Sequence, residues 1–202
     1  MELRNRLEDR AARIRQIDER DFMDLHKQLE RNNKGADKSK FFRELLEGWD
    51  PNRYLDKNKK CNENNYRDSF RKFLDSKDNL MEHPREVVIN GRDRVDLEFV
   101  FKTSDEEMVD IVEFKLGLDR TQANDLTAEV LRDLKLKSKH VYAVIIEDME
   151  RGKTVDEKRI GEIYDNFKEY TKRYSKVVKG KSFHIYIKGI GSGVSSLREY
   201  KQ

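Results

Sequence analysis

Three charged residues stand where apolar neighbours make burial expensive. Asp96 lies between Val95 and Leu97, and the run Ile111-Val112-Glu113-Phe114-Lys115-Leu116 sets opposite charges two positions apart in an otherwise apolar segment. A charge inside such a segment is costly unless it is paired or holds an ion. If both segments are strands, alternation sends Glu113 and Lys115 to one face and Val112 and Phe114 to the other. Adjacent strands would then gather Asp96, Glu113 and Lys115 into one cluster. Two carboxylates and the backbone carbonyl of Phe114 are hard oxygen donors of the kind Mg²⁺ takes. A metal held there would lower the pKa of a bound water and steady charge on phosphoryl oxygens, while Lys115 would position the water or stabilise the developing charge. That is equipment for phosphodiester hydrolysis. The same residues also make a buried Asp–Lys–Glu salt bridge joining two strands, and spacing alone does not separate the two readings.

The elements that must position these residues follow from hydrophobic period. Leu3, Leu7, Ala11, Ile14, Ile17, Leu25 and Leu29 predict a long charged helix over residues 2 to 32, either packed on the domain or serving as an arm that pairs with a second copy. Phe41 to Trp49 predicts a short helix stopped at Asp50-Pro51. Asn52 to Lys60 reads as a polar loop. Asn62 to Asp75 predicts a helix with Tyr66, Phe70, Phe73 and Leu74 on one face. Then the period changes. Glu86 to Ile89 is a strand candidate, Asn90-Gly91 a turn, and Val95 to Phe101 the return strand. Val109 to Leu116 is a third strand, Asp119 to about Lys135 a helix, and Val141 to Ile146 a strand without alternation, as expected when both faces are buried. Asp156 to Tyr174 predicts a second helix with Ile160, Ile163, Tyr164, Phe167 and Tyr170 inward. Phe183 to Ile187 is a last strand, and Gly189 to Gly193 reads as a loop. This order calls for an α/β fold with a mixed sheet.

Set on these elements in this order, Gly91-Arg92-Asp93-Arg94-Val95-Asp96 and Val112-Glu113-Phe114-Lys115 resemble the signature of the PD-(D/E)xK nuclease superfamily, which includes restriction endonucleases and Holliday junction resolvases. The resemblance covers about residues 62 to 150. It implies a restriction-endonuclease-like core, a mixed β-sheet of a three-strand meander plus crossover strands flanked by helices. An N-terminal helical extension, residues 1–60, would precede a core at 61–202. It implies a Mg²⁺-dependent deoxyribonuclease, with Mn²⁺ able to substitute, that cuts DNA as an endonuclease and works as a homodimer. Asp96, Glu113, Lys115 and Gln122 would form the catalytic set. Asp96, Glu113 and the Phe114 carbonyl would hold the metal, with Glu63 as a further candidate ligand and Glu86 and Glu98 as weaker ones. Gln122 is equally an ordinary exposed helical residue, and Glu63 equally an acidic residue favoured by the helix N-terminus. Val95 stands where the family name has Pro, and Leu126 stands where one branch of the family carries Tyr, four residues after Gln122. An alternative from another class is a non-catalytic DNA-binding or assembly protein that retains the nuclease fold.

Bulk properties agree with a cation site beside a polyanion site. The 202 residues carry 43 basic and 40 acidic side chains, a net charge of only +3. The distribution is uneven: Arg85 to Leu118 holds five basic and nine acidic residues, whereas Val155 to Gln202 holds eleven and six. Arg173, Lys176, Lys179, Lys181 and Lys188 run without an intervening acidic residue, interleaved with Tyr174, Phe183 and Tyr186. This run either follows a phosphate backbone or is a solvated face. Arg92 and Arg94, just before Asp96, are also placed to meet a phosphate. The single cysteine, Cys61, excludes an internal disulfide framework. No apolar signal core opens the chain and no stretch reaches the roughly 20 apolar residues of a membrane span, so a soluble cytoplasmic protein is expected. Walker, HExxH, zinc-ligand and nucleophile-elbow motifs are absent, and His26, His83, His140 and His184 stand isolated in the sequence.

Overall fold

The computed structural model describes residues 38–55, 62–76, 87–89, 93–102, 107–134, 140–191 and 194–200. The helix expected over residues 2 to 32 lies outside them, as do Glu86 and Arg92. The chain divides into two compact units, 1–41 and 42–202. The described elements are α1 (Lys38–Gly48), α2 (Pro51–Tyr54), α3 (Glu63–Asp75), β1 (Val87–Ile89), β2 (Asp93–Val95), β3 (Leu97–Lys102), β4 (Glu107–Leu116), α4 (Arg120–Asp133), β5 (His140–Asp148), α5 (Glu157–Arg173), α6 (Ser175–Val178), β6 (Ser182–Gly191) and β7 (Val194–Tyr200). A 3₁₀ turn, Met149–Arg151, follows β5.

The sheet is mixed, in the order β3-β4-β5-β6-β7. β3 runs antiparallel to β4, β4 to β6 are parallel, and β7 returns antiparallel to β6. The two parallel steps are made by α4 and by the segment carrying α5 and α6, so the fold is α/β with helices against the sheet, as the order of periods predicted. One face is packed by α4 and α5: Ala123, Leu126, Val130 and Leu134 from α4 and its end, and Ile160, Ile163, Tyr164 and Phe167 from α5, meet Val141, Ala143, Ile145, Phe183, Ile185 and Ile187. The opposite face is aromatic. Phe42 stacks on Tyr142 with ring centroids 4.1 Å apart, and Trp49 and Phe70 lie at 6.2 and 5.7 Å from Phe114. Val141 to Ile146 are buried throughout, as their lack of alternation required.

Three expectations are corrected. The return strand is not continuous. Asp96 is a bend that separates β2 from β3, so β1 and β2 pair in a small sheet of their own, Val87 to Val95 through Ile89 to Asp93, and the three-strand meander is split. The reason is local: the Asp96 carboxylate turns to the backbone of β4 instead of continuing the alternation. Gly189 to Gly191 belong to β6, because β7 pairs with them. Gly189 admits that pairing; a Cβ there would lie 2.4 Å from Ser196 Oγ. Finally, the stretch read as a loop from Asn52 opens in a helical turn, begun by Pro51 and capped by the Asp50 carboxylate on the Asn52 amide.

Candidate active site

β3 pairs with β4 from Lys102–Glu107 to Leu97–Val112, and within the described residues that ladder stops there. The bend at Asp96 therefore leaves the last residues of β4, Glu113 to Leu116, without a ladder partner on that edge among the described residues. Asp96 takes that edge with its side chain: Oδ2 accepts the Phe114 amide at 2.8 Å, and Oδ1 accepts from Arg67 Nη1 of α3 at 3.1 Å. A buried backbone N–H without a partner is expensive, and here a carboxylate supplies what a strand would otherwise supply.

Glu113 and Lys115 point to the face covered by α4, as alternation required. Lys115 Nζ sits between the oxygens of Glu129, at 3.0 and 2.8 Å, and lies 3.7 Å from Glu63 Oε1. Glu113 Oε1 accepts from Arg132 Nη2 at 3.2 Å, on the same guanidinium that holds Asp133. Arg132 Nε donates to Asp133 Oδ1 at 2.9 Å. Thus α3 and α4 both reach the last residues of β4, and their spacing explains how. Glu63 and Arg67 are one turn apart on α3, while Glu129, Arg132 and Asp133 occupy the last turn and a half of α4.

The electrostatics follow. Burial, then the negative charges of Asp133 and Asp96, hold the Glu113 carboxyl well above the usual carboxylate range. Burial raises Glu63 and Glu129 too, and Asp96 adds to both, although Lys115 opposes the rise. Burial pulls the Lys115 ammonium down, but the Glu129 hydrogen bond and the charges of Glu63 and Glu129 outweigh it and the group is raised overall. Five carboxylates, Glu63, Asp96, Glu113, Glu129 and Asp133, face three cations, Arg67, Lys115 and Arg132. The hard-oxygen donor set and the surplus of negative charge fit a divalent cation. Among the described residues, however, no three acidic or histidine side chains already converge on one ion position.

The other expected site residues fall as follows. Gln122 closes a capping box on α4: its amide accepts the Asp119 N–H, its own N–H meets Asp119 Oδ1, and Nε2 donates to the Leu116 carbonyl at 2.7 Å. Gly117, with φ of 77°, makes the turn that allows it. The side chains of Arg94 and Glu98 lie outside the description. Arg173 is exposed and pairs with Glu169; Lys176 and Lys179 are exposed. Lys181 donates to the Leu134 carbonyl at 2.6 Å, next to Asp133, which brings the end of the basic run beside the end of α4. Lys188 does not belong to the run's surface. It is 1% exposed and donates to the Leu46 carbonyl, and Phe183 and Tyr186 are buried as well, because alternation along β6 turns them into the two cores. His140 and His184 are not isolated in space: both rings bond Ser182 Oγ, at 2.5 and 2.9 Å. Sequence reasoning missed Arg67, Glu129, Arg132 and Asp133. Their signal was helical phase: each lies on the helix stripe next to an apolar one and so turns toward the sheet edge.

No protein-family model matches the chain, and no curated protein matches it. Among solved structures it is similar to SfsA of Pyrococcus furiosus in complex with Ca²⁺, at 11% identity and a TM-score of 0.32. The match covers 64% of this chain and 56% of that one. At that level the likeness carries no argument about chemistry. Among the described residues no helix is long and apolar enough to cross a membrane.

Proposed function

We propose that this chain is a divalent-metal-dependent nuclease that hydrolyses phosphodiester bonds in DNA as an endonuclease. The observation that carries this reading is the meeting of Asp96, Glu113 and Lys115, with Glu63 at their edge, at the open end of β4 with negative charge in surplus. In this reading Asp96 and Glu113, with the Phe114 carbonyl, hold Mg²⁺ or Mn²⁺. When bound, the ion activates a water and offsets phosphoryl charge. Lys115 is kept protonated by its carboxylate neighbours, so it serves as a donor that orients the water or the scissile phosphate rather than as a base. Arg173, Lys176 and Lys179 supply the sequence-independent hold on the phosphate backbone.

A second reading has one observation in its favour. Asp96, Glu113 and Lys115 are each closed by an internal ion pair, as in a structural network, which suits a non-catalytic DNA-binding or assembly protein that keeps a nuclease-like site. One assay separates them. Supercoiled plasmid, linear duplex, single strand and four-way junction are incubated with Mg²⁺, Mn²⁺ or EDTA, using wild type, Glu113→Ala and Lys115→Ala. Metal-dependent cutting that both substitutions abolish supports the nuclease. Cutting that survives both sinks the assignment of the site, and DNA binding without cutting by wild type favours the second reading.

A further inference from the structure

The cluster contains two arginines in comparable chemical roles but different settings. Arg67 holds Asp96, and its side chain is 10% exposed, clamped against Asp68 and Asp96. Arg132 holds Glu113 and Asp133, and its side chain is 27% exposed while theirs are 3% and 0%. Of the three, Arg132 alone has a route to water. It lies at the last turn of α4 on a long flexible side chain, so it can leave without moving the backbone. The two acids beneath it cannot rearrange toward solvent. A buried carboxylate left without a cation is strongly unfavourable, so something positive must replace any guanidinium that departs.

We propose that Arg132 is a built-in counter-ion that holds the divalent-cation position at Glu113 until the cation arrives and displaces it. This rests on the metal-dependent reading above. The charge count supports it. With Arg132 in place the cluster still carries more carboxylates than cations, and one guanidinium serves both Glu113 and Asp133. A divalent ion supplies one more positive charge than the guanidinium. Exchange of Arg132 for the ion therefore leaves the buried acids better compensated, and it swings a guanidinium to the rim beside the carbonyl of Leu134, where Lys181 already brings the basic run. Arg132 is in this sense a positioning residue. It keeps the Glu113 carboxylate in place in the empty protein, and it competes with the cation for the same oxygens.

The competition has a readout that does not involve cleavage. The full chain is titrated with Ca²⁺ by calorimetry as wild type, Arg132→Lys and Arg132→Gln, with circular dichroism to verify the fold. The double variant Arg132→Gln/Asp133→Asn keeps the local charge balance should the single neutral substitution fail to fold. The inference expects Ca²⁺ to bind Arg132→Gln roughly tenfold or more tightly than wild type, because a competing charge at contact distance has gone, and the double variant more tightly by a smaller factor, because one carboxylate leaves with the guanidinium. It expects Arg132→Lys to stay near wild type. It also expects the thermal midpoint of the metal-free neutral variant to fall and to recover with Ca²⁺. Unchanged or weaker Ca²⁺ binding by the folded neutral variants, with wild type still binding and cutting, overturns the inference and leaves the nuclease reading standing. Absence of Ca²⁺ binding in every form overturns both.

Discussion

Lys188 is a lysine in the core, and its pH dependence can be worked out in advance. It is 1% exposed, on β6, and its ammonium donates to the Leu46 carbonyl at 2.7 Å. Leu46 lies in the last turn of α1, where carbonyls have no helical partner, so the lysine satisfies a group that the helix leaves open. Burial lowers its pKa from 10.5 to about 8, against the weaker pull of Asp50 and Glu47. Such a depression is a penalty of about 3 kcal/mol on the charged form. The folded pKa lies below the unfolded one, so between pH 8 and 10.5 the unfolded chain binds more protons and stability rises with pH. Integrated for this one group, the gain is about 1.4 kcal/mol between pH 7 and pH 9. Tyr164, raised to about 12 by burial, acts in the opposite sense, but only above the ordinary tyrosine range, near pH 10. Lys188→Met removes the titration and leaves the Leu46 carbonyl unpaired, which costs about 1–3 kcal/mol. At pH 7 the lost penalty and the lost hydrogen bond nearly cancel. At pH 9 wild type should gain about 1.4 kcal/mol on the variant. Urea unfolding of both proteins at pH 7, 8 and 9, at constant ionic strength and with unchanged m-value, measures this difference directly. Parallel stability curves for the two proteins would show that Lys188 does not carry the buried charge described.

Two further expectations concern Gln122 and the exposed basic residues. Gln122→Ala should lower stability by about 1 kcal/mol, a fall in melting temperature of roughly 2–4 °C, through loss of the capping box, while cleavage per folded molecule stays within about twofold. Loss of cleavage with an unchanged melt would instead place Gln122 in the chemistry. Replacing Arg173, Lys176 and Lys179 together by Ala should weaken binding of a short duplex and reduce the slope of log K against log salt by roughly 2–3, as measured by fluorescence anisotropy. An unchanged slope would move the DNA contact to another face.

Strands and helices were legible because burial writes a period into the sequence. Val141 to Ile146 show it as an unbroken apolar run, and Ile160, Ile163, Tyr164 and Phe167 show it as a helical stripe. Glu113 and Lys115 were legible for the converse reason: charges inside an apolar strand stand out. Asp96 was read as a strand residue, but its effect depends on which backbone amide its side chain reaches, and local sequence does not encode that. β7 was missed because it pairs through one edge and Leu197 to Tyr200 keep only partial burial, so its period is weak. Glu129, Arg132 and Asp133 looked like ordinary helix-surface charges. Their meaning comes from the crossover that lays α4 back along β4. Lys188 looked like part of a basic surface because the run of lysines gives no hint of which side of β6 each one faces.

The Asp96–Phe114 bond has a consequence for how this protein can vary. In most hairpins the length of the turn fixes how two strands are aligned, and a slip by one residue exchanges their faces. Here a side chain at the far end of the ladder ties β3 to β4 directly, with Leu97 opposite Val112 beside it. The alignment of Glu113 and Lys115 with α4 is thereby made independent of the connection between Lys102 and Glu107. With β5 fixing the other edge of β4, Glu113 opposite Ala143 and Lys115 opposite Ile145, a change of length in that connection should leave the carboxylates on the α4 side of the sheet.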